Sequence, residues 1–348
     1  MVLTRRTTGH RPTLEDVARR SGVSRSTVSR VINAEPRVSA EVVDRVRKVI
    51  VELGYVPNQA ARQLVTHRTG AVAVVAAQPE NRLFLDPFFD LLLRGIRREL
   101  ARHGAQAVLL FLDDPDDYAR VADYLGGGHV DGALLFSLRP GDRLHEMVDR
   151  IGLPAVFGGR PLLRDRDPER GGQAYVDGDN RGGARQAVQH LVSLGRSRIA
   201  TVTGPYDQEN SAADRLAGYR DVLPAASPDL IERADYTLRG GADAMAALLR
   251  RQPDLDAVFV ASDLMASGAL QTLRESGRRV PQDVAVVGFD DLAEIAESTE
   301  PPLTTVHQDV EEMGRLMARL LFDITQNPGA PTGSSVVVPT RLVLRESA

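Results

Sequence analysis

Between Thr13 and Gly54 apolar side chains recur at helical spacing, and from Gly70 onward they gather into short continuous runs. This predicts a small all-helical region followed by an α/β region. Thr13 can cap a first helix with Asp16 three residues on, and Leu14, Val17 and Ala18 fall on one face. Ser21-Gly22-Val23 makes a turn, after which Ser24 caps a second helix whose apolar stripe is Val28, Val31 and Ile32. Arg25, Ser26, Ser29 and Arg30 occupy its opposite side. Ser39 opens a third helix, with Val42, Val43, Val46, Val49, Ile50 and Leu53 as its buried stripe, and Gly54 closes it. Three helices make a minimal core. The segment from Pro57 to Val65 has too few large apolar groups to stand alone and should order only on contact.

Past Thr69, residues 70–77, 106–112, 130–136 and 155–157 read as strands, separated by helical stretches such as 88–103 and 116–125. The first of these runs is apolar at every position, the pattern of a strand covered on both faces of a parallel sheet. From Asn180 the alternation resumes: helix 180–194, strand 198–203, helix 213–223, strand 257–261, helix 265–276 and strand 284–288. The second half thus restates the first, and two Rossmann-like lobes are expected, with a ligand cleft at the carboxyl ends of their strands. The expected divisions are a helical domain over residues 1–56, a linker over 57–69 and a two-lobed core over 70–348.

Charge changes this picture. The 348 residues carry a net charge of −4, which alone argues for no nucleic-acid partner, yet residues 1–69 hold 13 Lys+Arg against 6 Asp+Glu. That is +7 at one end and −11 over the remainder, with the basic residues coinciding with the predicted helices rather than with a low-complexity tail. A helix fits the major groove of B-DNA, where Arg can bond a guanine edge twice and Ser a base or a phosphate. The alternative for this window is an ordinary amphipathic hairpin. The chain contains no cysteine, which excludes disulfides and thiolate metal sites. Neither an apolar leader nor a membrane-length run occurs, so a soluble, cytoplasmic protein is expected.

The helical window DVARRSGVSRSTVSRVIN, followed by Tyr55-Val56-Pro57-Asn58 and the hinge pattern Ala61-Arg62-Gln63-Leu64, resembles the LacI family of bacterial transcription regulators. Further landmarks extend the resemblance over essentially the whole chain: Asp86-Pro87-Phe88-Phe89, Val176-Asp177-x-Asp179-Asn180, Asp214-Arg215-Leu216-Ala217-Gly218-Tyr219, Ala261-Ser262-Asp263 and Val287-Gly288-Phe289-Asp290-Asp291 among them. The resemblance implies a helix-turn-helix head on a core like periplasmic sugar-binding proteins. It also implies a homodimer that binds double-stranded operator DNA under the control of a small-molecule effector. Arg25 and Arg30 are then expected at or near bases, with Ser26 beside them, and Thr13, Ser24, Thr27, Ser29, Asn33 and Arg37 at phosphates. Asn58, Ala61 and Leu64 would belong to a hinge helix, Leu64 entering the minor groove as a wedge.

For the effector, Asp263 and Asp290 follow predicted strands, where carboxylates can accept paired hydroxyl hydrogen bonds, and Arg215 offers a planar fork of donors. Phe88, Phe89 and Tyr236 can stack on a sugar ring or a base; ordinary core packing is the alternative for each. Arg215 and Asp290 have a structural ion pair as theirs. Arg160, ending a strand, and Gln308 complete the candidates, and Ser262 stands where the family often has asparagine. A polyhydroxylated ligand suits this set, which points to a repressor of carbohydrate genes; a purine-responsive regulator is the runner-up. A sugar-binding transport protein would share the core but would need an export signal and no head. A sugar-processing enzyme would need a poised acid/base pair. The seven scattered histidines show no metal or nucleophile motif, so no catalytic residue, metal or cofactor is expected, and His190 reads as a satisfied structural histidine.

Overall fold

The computed structural model describes residues 12–32, 38–56, 68–77, 86–112, 114–136, 144–161, 173–207, 209–327 and 334–348. Internal contacts divide the chain into two units, residues 1–69 and 70–348.

In the first unit, α1 spans Leu14–Ser21, α2 Arg25–Ile32 and α3 Ala40–Leu53. The N-terminus of α1 closes as a capping box: the Asp16 amide donates to the Thr13 hydroxyl at 3.3 Å, and the Thr13 amide donates to the Asp16 carboxylate at 2.9 Å. Gly22 ends the helix in the left-handed region at φ 67°, which turns the chain into α2. The Thr27 amide donates to the Ser24 hydroxyl at 3.1 Å, so Ser24 caps α2. Ser39 occupies the corresponding position before α3 but makes no side-chain cap bond. Val17, Val28 and Val46 meet at full burial, with Val31, Val49 and Tyr55 around them.

The second unit holds two six-stranded sheets. The first contains β1 (Ala71–Ala76), β2 (Gln106–Phe111), β3 (Ala133–Phe136), β4 (Ala155–Gly158), β5 (Ala174–Gly178) and β11 (Ser335–Val338), in the order β11-β5-β4-β3-β1-β2. In the second, β6 (Ile199–Thr203), β7 (Ile231–Arg233), β8 (Ala257–Val260), β9 (Ala285–Asp290), β10 (Thr304–His307) and β12 (Arg341–Val343) run β12-β10-β9-β8-β6-β7. Every pairing is parallel except β12 on β10. Helices cover both faces. Val72, Val74 and Ala76 enter one hydrophobic cluster and Ala73, Val75 and Ala77 the other, which is why the run reads as continuously apolar.

The lobes are not successive halves of the chain. It passes between the sheets three times, after β5, after β10 and after β11. The helix Val310–Gln326 therefore packs against Pro87–Arg102 in the first lobe, through Met313, Met317 and Leu321. Reading the second half as a restatement of the first missed these returns.

Each lobe contains a helix pair that crosses backbone to backbone at glycines. In the second lobe, α9 (Leu238–Arg251) meets α10 (Asp263–Glu275), and a Cβ added at Gly268 would lie 1.9 Å from the Leu238 carbonyl oxygen and 2.8 Å from the Ala242 nitrogen. Both are main-chain atoms, so relief requires the helices to part. Helix propensity favours Gly→Ala by up to about 1 kcal/mol, but overpacking of this kind costs about 2–3 kcal/mol. Gly268→Ala is expected to lower the unfolding free energy in urea by about 2 kcal/mol net; a neutral or stabilised variant would show that the crossing adapts.

Candidate functional site

The first candidate surface is the outward side of α2. Arg25, Ser26 and Arg30 are exposed, Thr27 and Ser29 half-buried, and Val28 and Val31 on the reverse side are buried in the core. The polar side chains are held by one another: the Ser24 hydroxyl lies 2.8 Å from those of both Ser26 and Thr27, and Arg25 donates to Glu15 of α1 at 2.8 Å. The Thr13 hydroxyl is engaged in its capping box, donating to Asp16 at 2.7 Å. Asn33, Arg37, Asn58, Ala61 and Leu64 lie outside the described residues.

The second is a cavity of about 130 Å³ in the core unit, reached by strand ends of both sheets. Phe88, Phe89 and Arg160 line it from the first lobe, and Arg215, Tyr236 and Asp290 from the second, with Gln308 beside them. Phe88 and Phe89 meet edge-to-face, their ring centroids 5.5 Å apart. Phe89 and Tyr236 also belong to the cores of their lobes, so for both the packing alternative and the lining position coincide.

At the floor, Arg215 and Asp290 are both buried, with a guanidinium–carboxylate approach of 3.5 Å. Helix α8 (Asn210–Val222) carries Arg215, whose Nε donates to the Asn180 side-chain oxygen at 2.8 Å and whose Nη1 donates to the Ala261 carbonyl. Its guanidinium carbon stands 3.7 Å over the Phe289 ring, a desolvated cation–π contact. Gln308 donates to Asp290 at 2.6 Å. Burial pushes the Asp290 carboxyl up to about 7, in spite of the opposing Arg215 charge and with a further push from Asp86. Asp290 has φ 115° and Tyr236 φ 64°; among the described residues, Asp291 is the one other non-glycine in the left-handed region. Such strain persists where surrounding structure over-determines it, and two of the three instances face one cavity.

Two of the candidate residues lie outside the cavity lining. Asp263 does not line the cavity: fully buried at the start of α10, it accepts hydrogen bonds from the Thr305 hydroxyl and, at 2.8 Å, from the Leu292 amide. Both oxygens serve the fold, tying α10 to β10 and to the turn after β9. Ser262 caps α10, accepting from the Met265 amide at 3.2 Å, and is likewise absent from the lining. Position after a strand does not say towards which side the following residue turns. His190, read as satisfied, has its Nε2 buried without a hydrogen-bond partner.

Sequence reasoning passed over Asp177 and Asn180, which lie where the chain leaves the first sheet for the second. Asp177 accepts from the Arg160 amide at 3.1 Å and from Asn180 at 2.9 Å, and burial raises its carboxyl above the ordinary range. The signal was present in the Val176-Asp177-x-Asp179-Asn180 block. Asn210 and Glu209 line the mouth from the start of α8. Among the described residues, no group of three or more His, Cys, Asp or Glu is arranged to hold a metal ion, and no helix is long and apolar enough to cross a membrane.

Residues 13–58 match the family described as bacterial regulatory proteins, lacI family, and residues 188–348 a periplasmic binding protein-like domain. Among curated proteins, the HTH-type transcriptional regulator CelR of Thermobifida fusca is 49% identical over 97% of this chain and 98% of its own length. The ribose operon repressor of Escherichia coli K12 is 36% identical over 90% and 93%. Among solved structures, a CelR–cellobiose complex superposes with a TM-score of 0.76 at 46% identity, covering 97% of this chain and all of the other. The lac repressor dimer bound to operator and an anti-inducer reaches 0.82 at 28% identity, covering 97% and 99%.

Proposed function

The chain belongs to the lacI family of bacterial regulatory proteins, and from that premise we propose that it is a homodimeric, sequence-specific DNA-binding repressor whose grip on its operator is set by a sugar bound in the core cavity. The observation that carries the reading is α2 itself: one face locks into the core through Val28 and Val31, and the other presents Arg25, Ser26 and Arg30 outward, within residues 1–69 of net charge +7. Two such heads related by two-fold symmetry read successive major grooves of a near-palindromic site. Asn58, Ala61 and Leu64 fill the hinge role that the resemblance implies.

Sugar is favoured over purine as the effector by relatives that include a cellobiose-bound regulator and a ribose operon repressor. The cavity suits it: Asp290, Gln308 and Arg215 supply acceptors and donors at the floor, and Phe88 and Tyr236 supply apolar faces. Coupling between sugar and operator needs about 1–3 kcal/mol of differential affinity between two lobe arrangements. The test is operator retention. Arg30→Ala is expected to weaken binding by about 10- to 100-fold at fixed moderate salt, the range for loss of a base contact. Affinity within twofold of the parent would reject the assignment of α2 as the reading helix.

A further inference from the structure

Charged groups are unevenly spread around the cavity. Among the described residues, four carboxylates line it, on Asp86, Asp177, Glu209 and Asp290, against the two guanidiniums of Arg160 and Arg215. Neither guanidinium is unengaged. Arg215 is buried and distributed among Asn180, the Ala261 carbonyl, Asp290 and the Phe289 face. Arg160 is different: its side chain is 44% exposed, and its Nη2 donates to both oxygens of Asp214, at 2.8 and 2.7 Å.

That pair joins the two lobes. Arg160 follows β4 in the first lobe, whereas Asp214 lies on α8 in the second. The Arg160 main chain is held as well, its carbonyl accepting from Asn210 at 2.7 Å and its amide donating to Asp177 at 3.1 Å. A clasped backbone fixes where the guanidinium sits, and Asp214 fixes what it faces. Without that carboxylate, a planar five-donor group would stand at the cavity wall, the chemistry that recognises phosphate and carboxylate in bidentate fashion.

We propose that Asp214 is the residue that sets the charge class of the effector: by holding Arg160 across the lobes it leaves an acidic cavity that takes uncharged sugars and rejects sugar phosphates and sugar acids. This rests on the sugar-effector reading above. Asp214 acts through Arg160 and is a positioning residue; it is absent from the cavity lining itself.

The experiment compares matched probes on the full-length protein by titration calorimetry at pH 8: cellobiose against cellobionate, and glucose against glucose 6-phosphate. In the parent, the neutral member of a pair is expected to bind at least tenfold more tightly than its anionic partner. Asp214→Ala and Asp214→Asn, the latter keeping the shape and losing the charge, should each move that ratio at least tenfold towards the anion. Arg160→Ala in the Asp214→Ala background should move it back, a reversal that a merely structural defect would not give. A parent that prefers the anion, charge-removed variants within twofold of the parental ratio, or a gain that survives loss of Arg160 would each overturn the proposal while leaving the sugar reading standing. If no probe of either charge binds although operator DNA is still retained, the sugar reading has failed and the proposal falls with it.

Discussion

Arg215→Ala is expected to lower the unfolding free energy by about 3–5 kcal/mol at pH 8, the range for removing one partner of a buried pair. The damage has several parts. Asp290 loses the cation that approaches it at 3.5 Å, Asn180 and the Ala261 carbonyl each lose a donor, and the Phe289 ring loses the guanidinium stacked on it. Leaving a buried charge without compensation is the largest of these. Asp290→Asn in the Arg215→Ala background should therefore recover about 1–3 kcal/mol, although it removes a second native group. If the double variant is no more stable than Arg215→Ala alone in urea titrations, the stranded carboxylate is not the source of the loss. The single variant should also suffer less at pH 5.5 than at pH 8, because a proton can then replace the missing guanidinium.

The lobes were legible where local pattern carries the information. The run 71–76 is apolar at every position because helices cover both faces of its sheet, and the Thr13 capping box is a four-residue signal. Legibility failed where tertiary context decides. β10 is Thr304–His307, two threonines, a valine and a histidine; its strand character comes from lying between β9 and β12, not from composition. The return of Val310–Gln326 to the first lobe has no local mark either, since an amphipathic helix suits any exposed sheet face.

The same limit governed the cavity. Arg160 and Asp214 are 54 positions apart, and the position of Arg160 after a strand does not say which carboxylate of the other lobe it meets. Asp263 follows β8 and Asp290 ends β9 of the same sheet, yet Asp290 faces the cavity and Asp263 ties three elements together beneath Gly288, where an added Cβ would lie 2.4 Å from an Asp263 oxygen. A strand-end rule finds the layer in which ligand contacts occur. It does not choose between adjacent carboxylates.

Those carboxylates give the core a pH dependence opposite in sign to that of ordinary acid denaturation. Burial raises Asp290 to about 7 and Asp263 well above the usual range, the latter helped by its neighbour Asp290, whereas in an unfolded chain both titrate near 4. Between about pH 4 and 7 the folded protein thus holds protons that the unfolded chain has released, so stability is fully present at the acidic end of that window and is lost as pH rises. Groups shifted the other way, such as Asp221 beside Arg181 and Glu312 beside Arg315, lose their contribution as pH falls through their own lowered range. They act below the window and do not mask it. Urea unfolding of the full-length protein should accordingly show the core less stable at pH 8 than at pH 5.5, with the decline concentrated below about pH 7. Asp290→Asn should flatten that decline, since an amide in the same place has no proton to lose. Parallel curves for parent and variant across this range would mean that Asp290 is ionised throughout, and that the Arg215 guanidinium outweighs the cost of burying it.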